Sequence, residues 1–208
     1  MSNSNAYELI YQDDYLLVAN KPAGLLAVPG RGAEKQDCLS ARLQQQFPDA
    51  LVVHRLDMAT SGLMLFARGA EMQRHLSVMF SNREVEKRYV AVLAGKLEAE
   101  SGEVNLPIMA DWPKRPLQKV DAQQGKPSLT RYRLLGIDSD ISRVELEPIT
   151  GRTHQLRVHM AAIGHPILGD ALYGDASSAP RLLLHASTLS LSHPATRVLL
   201  HFDSMPPF

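Results

Sequence analysis

The chain has 208 residues, 45% of them hydrophobic and 21% charged, a length and mix that predict one large domain with a substantial core. Lys and Arg number 22 against 22 Asp and Glu, so no global charge announces a nucleic-acid partner, although local patches bind phosphates whatever the sum. Cys38, the single cysteine, excludes an internal disulfide framework and a cysteine-built metal cluster, and it fits a reducing compartment.

The opening stretch MSNSNAYELIYQDD has no basic flank followed by an apolar run, so no secretory signal is read there. No run along the chain reaches the length a membrane span needs, which makes a soluble cytosolic protein the expectation. YELIYQDD and YLLVANKP read as two strands hinged at Asp13 and Asp14, with Pro22 closing the pair. The following AGLLAVPGRGAEKQDCL is loop-like, with Gly24, Pro29, Gly30 and Gly32. DCLSARLQQQFP predicts a short helix capped by Asp37, with Leu39, Leu43 and Phe47 along one face and Pro48 as its stop. A strand-like segment runs from Leu63 to Phe66. AEMQRHLSVMFSN is then an amphipathic helix with Met72, Leu76, Met79 and Phe80 on one side and Asn82 at its exit. EKRYVAVLAG is a strand ending at Gly95.

Residues 98–128 are predicted to be irregular, because Pro107, Pro113, Pro116 and Pro127 with Gly102 and Gly125 forbid long elements. LTRYRLLGID and SRVELEPIT are strands joined by an Asp-Ser-Asp turn. RTHQLRVHMAAIG predicts a helix stopped by Gly164, and RLLLHASTLSLSHP and RVLLHFDS close the chain as alternating strands. Strands outnumber helices without regular βαβ alternation, so the class is α+β with a mixed, largely antiparallel sheet.

Several chemistries fail on spacing. His154, His159 and His165 do not lie on one helix face, and no HExxH, cysteine pair or carboxylate triplet joins them. No GxSxG elbow surrounds Thr60 or Ser61, so these two, with Gly62, read as turn makers. GRGAEK lacks the spacing of a P-loop, and no GxGxxG follows a strand, so a nucleotide cofactor is not supported.

Three features remain. HRLDMATSG sets Arg55 and Asp57 directly against a core strand, where a turn alone needs only Gly, Pro, Asn, Asp or Ser. PITGRTHQLRVH puts Arg152 at a predicted helix start, a position where the helix dipole disfavours a cation. Arg152 either pairs with an exposed glutamate for little gain or holds an acid from elsewhere in the fold; both readings stand. Between Trp112 and Arg133 there are six cations (Lys114, Arg115, Lys119, Lys126, Arg131, Arg133) against the single acid Asp121. That run is either a solvated loop or a phosphate-contacting surface with an aromatic beside it.

At these residues the sequence resembles the RluA family of pseudouridine synthases along nearly its whole length. NKPAGLLAVPG is similar to the first family motif, HRLDMATSGLMLFA to the second, EKRYVAV to the tyrosine segment and GRTHQLRVHMAAIGHPILGD to the third. With VPGR and DWPKRPLQKV, and without an S4-type domain, the set resembles the dual-specificity branch that acts on a 23S rRNA loop and a tRNA anticodon loop. The resemblance implies a single catalytic domain over residues 1–208 that isomerises uridine to pseudouridine in RNA, without cofactor or metal. It implies RNA stem-loops as partners, no DNA or membrane, and a monomer.

The resemblance maps the catalytic carboxylate to Asp57, the active-site phenol to Tyr89 and the motif arginine to Arg152. Asp57 would attack C1′ or remove the 2′ proton, and the sequence does not choose between them. Tyr89 would stack on the uracil and help remove the C5 proton, and Arg152 would favour the charged form of the carboxylate. The target base must leave its stack to be reached, and Arg55 would fill the gap or hold the flipped nucleotide. Lys114, Arg115 and Lys119 are the expected phosphate contacts. Leu156 either walls the uracil site or packs in the core. The rival readings are an RNA-binding or assembly protein without chemistry and a carboxylate-pair glycosidase, which lacks a second acid in the motifs.

Overall fold

Alternating and continuous apolar runs set most of the strands. In chain order the elements of the computed structural model, which describes residues 7–208, are β1 (Glu8–Gln12), β2 (Leu16–Lys21), α1 (Leu39–Gln44), β3 (Ala50–Val52), β4 (Ser61–Arg68), α2 (Gly69–Ser81), β5 (Glu86–Ala94), β6 (Ser101–Asn105), β7 (Ile108–Ala110), β8 (Gln118–Val120), β9 (Leu129–Asp138), β10 (Ile141–Pro148), α3 (Gln155–Ala162), β11 (Leu184–Ser192) and β12 (Leu199–Asp203). The start of the stretch read as signal-free, residues 1–6, lies outside the described residues. The class is α+β with antiparallel pairing in the sheets. Among the described residues no helix is long and apolar enough to cross a membrane.

Two units make up the chain, one running to Lys87 and including Ala186–Pro207, the other Arg88–His185 with Phe208. In the first, the strand order is β1-β2-β4-β11, with β3 also on β4 and β12 on β11. The β1–β2 turn is held by Asp13, whose carboxylate accepts from the Tyr15 and Leu16 amides at 2.7 and 2.8 Å. Strand β4 lies between two neighbours and is buried on both faces as far as Ala67, which is why its sequence reads as a continuous apolar run. Leu63, Leu65 and Ala67 of β4 join Leu16 and Val18 of β2, Leu76 and Met79 of α2, Leu189 and Leu191 of β11 and Phe202 in one cluster. Each fully buried leucine there contributes roughly 1.5–3 kcal/mol.

Helix α1 corrects the expected cap. Its N-cap is Cys38, whose Sγ accepts from Ala41 N at 3.4 Å, while Asp37 grips Arg42 through two bonds of 2.7 and 2.6 Å. Cys38 is fully buried, a position that suits a thiol and would strip a carboxylate of water. Helix α2 ends at Asn82 as its pattern predicts.

The second unit has strand order β5-β10-β9-β6. Its Asp138-Ser139-Asp140 turn places Ser139 at φ 51. Residues 98–128 hold more order than their prolines suggest: β6 pairs with β9, and β7 with β8 forms a separate hairpin. Gly102, read as a breaker, is a strand residue opposite Tyr132. A Cβ there would lie 2.6 Å from the Tyr132 hydroxyl, so the missing side chain makes room for that ring.

Candidate active site

Asp57 sits in the segment that joins β3 to β4, half-buried, with Arg55 exposed two residues before it. Its backbone carbonyl accepts from Thr60 N at 3.1 Å, closing a tight turn immediately before β4. The next carbonyl, Met58 O, accepts from Gly24 N at 2.8 Å and from Lys21 Nζ at 3.1 Å. Lys21 is fully buried and also donates to Pro22 O and Leu25 O, each at 2.8 Å. One ammonium therefore ties the NKPAGLL loop to the Asp57 turn, and its burial is offset by carbonyl dipoles aimed at it. Sequence analysis missed Lys21. The available signal was a cation at the end of the apolar strand LLVAN, where core spacing calls for a hydrophobe.

Thr60 makes the turn, but Ser61 and Gly62 belong to β4, which corrects their reading as turn residues. Gly62 has φ +117, and a Cβ there would come within 2.3 Å of the Ala186 backbone oxygen, so only glycine lets β11 approach. The loop carrying Asp57 is thus anchored by main-chain constraints where it enters β4.

His54 locks the same loop. Its Nε2 accepts from Leu65 N at 2.9 Å, and its ring stacks on Phe80 at 4.6 Å. Loss of water on burial, helped by the charge of Lys87, lowers the His54 pKa to about 3. Burial also lowers that of His159, against the pull of the Leu106 carbonyl. Below an ordinary histidine pKa of about 6.5 the unfolded chain binds protons that the folded chain refuses. Stability is therefore full above that pH and falls on acidification, by up to about 1.4 kcal/mol per pH unit for each such histidine. Urea unfolding between about pH 7 and about pH 5, above the carboxylate range, should show this slope, and His54→Gln should reduce it by about one proton. An unaltered slope in the variant would remove His54 from this role.

In the second unit Tyr89 lies on β5, buried at 9% exposure and opposite Leu146 of β10. Arg152 is exposed in a turn, with Nε donating to Pro127 O at 3.3 Å. Helix α3 begins at Gln155, three residues later than predicted, behind His154 in the left-handed region at φ 55. The dipole argument for Arg152 therefore falls, because the effect is confined to the first turn. The cause of the late start is Gln155. Its Oε1 accepts from Thr150 Oγ1 at 2.7 Å and Arg152 N at 3.1 Å, and its Nε2 donates to Leu129 O and Thr130 Oγ1.

A buried relay continues from there. Thr130 Oγ1 bonds His159 Nδ1 at 2.8 Å, and His159 Nε2 donates to Leu106 O at 2.9 Å. His154 Nδ1 meets Tyr173 Oη at 2.7 Å, and His165 Nδ1 donates to Ala94 O at 2.9 Å. These three histidines hold the third motif to its surroundings. Arg157 makes a two-point pair with Asp170 at 2.8 and 2.7 Å, both side chains almost wholly buried. Leu156 is buried at 7% exposure.

The basic run is less basic in space than along the chain. Arg131 pairs with Glu103 at 2.7 Å, Arg133 with Glu145 at 3.1 Å and Lys119 with Asp121 at 3.5 Å. The acids Glu103 and Glu145 come from outside the window that was counted. Lys114 and Arg115 are exposed on the loop between β7 and β8.

The sequence model of the family described as RNA pseudouridylate synthase matches residues 15–162. The chain is 50% identical over 191 residues to the dual-specificity RNA pseudouridine synthase RluA of Escherichia coli (strain K12), covering 90% of this chain and 87% of that protein. The protein of the same name from Yersinia pestis is 48% identical over 204 residues, 96% of this chain and 99% of that one. Among solved structures, human RNA Pseudouridylate Synthase Domain Containing 1 matches with a TM-score of 0.81 at 29% identity, over 100% of this chain and 86% of that one.

Proposed function

As the chain belongs to the RNA pseudouridylate synthase family and is an isomerase of its RluA type, we propose that its substrates are stem-loops, with 23S rRNA uridine 746 and tRNA anticodon-loop uridine 32 as the targets. The reaction breaks the N1–C1′ bond, turns the uracil in place, joins C5 to C1′ and releases the C5 proton while N1 takes one up. It needs no cofactor. Asp57 is the carboxylate that works at the ribose, either on C1′ or on the 2′ proton. Tyr89 stacks on the uracil and helps remove the C5 proton, Arg152 is the counter-charge of the reacting carboxylate, and Leu156 walls the base.

Reaching the glycosidic bond requires the nucleotide to be flipped out of its stack, and Arg55 holds the space it leaves. Lys114, Arg115 and Lys119 meet phosphates. The protein acts as a monomer and a single catalytic domain in the cytoplasm. The observation that carries this reading is the Asp57 turn, a half-buried carboxylate on a loop closed through Thr60 N and held by Gly24 and by Lys21 at the end of β2. A reactive group must be held close to its productive geometry, and such a turn supplies that rigidity.

Sequence-specific RNA recognition favours loops whose bases splay out, so isolated stem-loops should suffice as substrates. An anticodon stem-loop and the matching 23S hairpin, each incubated with purified protein, should acquire pseudouridine at the named positions on chemical mapping. Modification confined to intact ribosomal subunits would contradict the substrate assignment, and tight binding without any product would favour an RNA-binding protein without chemistry.

A further inference from the structure

Trp112 is 64% exposed, yet it does not sit on a loose loop. It opens the single turn Trp112–Lys114 between the hairpin strands β7 and β8. The loop is closed by three backbone bonds: Asp111 N to Leu117 O at 2.9 Å, Lys114 N to Asp111 O at 2.9 Å and Leu117 N to Lys114 O at 3.0 Å. Pro113 fixes the backbone directly after the indole.

The guanidinium of Arg115 sits over this ring, its Cζ 3.2 Å from the centroid. One face of the indole is thereby covered. An exposure of 64% then has to come from the opposite face and the edges. A large aromatic held rigidly, backed by a cation and open on its other face, has the form of a stacking surface.

The loop is also tied to the third motif. Gln118 N, at the start of β8, donates to Tyr173 Oη at 2.8 Å, and that hydroxyl bonds His154 Nδ1 at 2.7 Å, two residues beyond Arg152. The platform and the Arg152 turn are therefore one hydrogen-bonded assembly in the second unit.

We propose that Trp112 is a binding platform for one unpaired base of the RNA, with Arg115 as its fixed backing. This rests on the reading that the chain modifies RNA stem-loops, and it adds a base-contacting residue to it. Every base offers a π-face, so the contact tightens binding without choosing the sequence. Lys114, exposed beside the ring, is placed for the phosphate that accompanies the stacked base.

Trp112 is the only tryptophan of the chain, so its emission reports this site alone. Titrating the full-length protein with an anticodon stem-loop should quench the fluorescence and shield the indole from acrylamide, whereas a fully paired duplex of equal length should do neither. Trp112→Leu should raise KM for the stem-loop by roughly 5- to 150-fold with kcat at saturation unchanged, and Trp112→Tyr should recover most of the loss. Unchanged emission and acrylamide access at saturating stem-loop, equal quenching by the duplex, or a wild-type KM in Trp112→Leu would each overturn the proposal. Failure of the wild-type protein to form pseudouridine would instead strike the functional reading, and the fluorescence titration would still decide whether a base stacks here.

Discussion

Asp57→Asn should slow pseudouridine formation by at least about 10²-fold while leaving RNA affinity near that of wild type, because an interaction made only in the transition state lowers kcat without weakening ground-state binding. The substitution keeps the size of the side chain and much of its hydrogen bonding but removes the charge and the basicity. The turn around it is held by main-chain groups that the substitution leaves in place. Asp57 closes that turn through its backbone carbonyl to Thr60 N, and the neighbouring Met58 carbonyl is held by Lys21 and Gly24. A general base lost in this way costs roughly 10²- to 10⁴-fold in rate, and a lost nucleophile costs more, on the order of 10⁶-fold in a well-studied case. Single-turnover rates with stem-loop RNA, on protein checked for deamidation, measure the loss and bear on which role Asp57 plays. Wild-type turnover by the variant would remove Asp57 from the chemistry.

The largest stability effect is expected at the other motif. Arg157 and Asp170 form a buried two-point pair, and Asp170 Oδ1 also accepts from Leu172 N at 2.9 Å and Tyr173 N at 3.2 Å. Burial by itself raises the Asp170 pKa, but Arg157 and the two amides outweigh it and hold the group below the usual carboxylate range. The folded state thus favours the charged form. Its contribution is present above the unfolded carboxylate pKa of about 3.9 and is lost as pH falls through the lower folded value.

Asp170→Asn at neutral pH leaves a buried guanidinium without its counter-charge and should cost about 3–5 kcal/mol in unfolding free energy. Replacing both partners, as in Arg157→Met with Asp170→Leu, removes both desolvation penalties and should cost far less than the sum of the single changes. Chemical unfolding of wild type, Arg157→Met, Asp170→Leu and the double variant closes this cycle. Additive losses would show that the two side chains do not act as a pair.

Where sequence reasoning succeeded, a local signal and the tertiary environment agreed. The β1–β2 pair was legible because Asp13 supplies both the turn chemistry and the bonds that close it, and α2 because Leu76 and Met79 fall on the face that meets the core. It failed where distant residues decided the outcome. Asp37 is the better cap by type, but the cap position is buried and Cys38 takes it. Gln155 delays α3 because Thr150, Leu129 and Thr130 offer it partners that a helix-start rule cannot see. The charge count over residues 112–133 exceeded the spatial one, since Glu103 and Glu145 lie outside that window and pair into it.

The candidate site divides in the same way. Asp57, Tyr89 and Arg152 were named from motifs, and their roles rest on the proposal. Gln155, which fixes the third-motif loop, carries no chemical signature of its own and becomes visible only through the groups it holds, whereas Lys21 has its signal in a cation that closes an apolar strand.

The central claim, that this protein rebuilds uridine so that C5 carries the sugar, is tested most directly at the C5 hydrogen. An anticodon stem-loop with tritium at C5 of its uridines is incubated with the wild-type protein in EDTA without added cofactor, and tritium in water is counted against pseudouridine formed. One tritium should be released for each pseudouridine formed, and Asp57→Asn should slow that release by at least about 10²-fold. RNA that binds the wild-type protein and keeps all its tritium would contradict the claim.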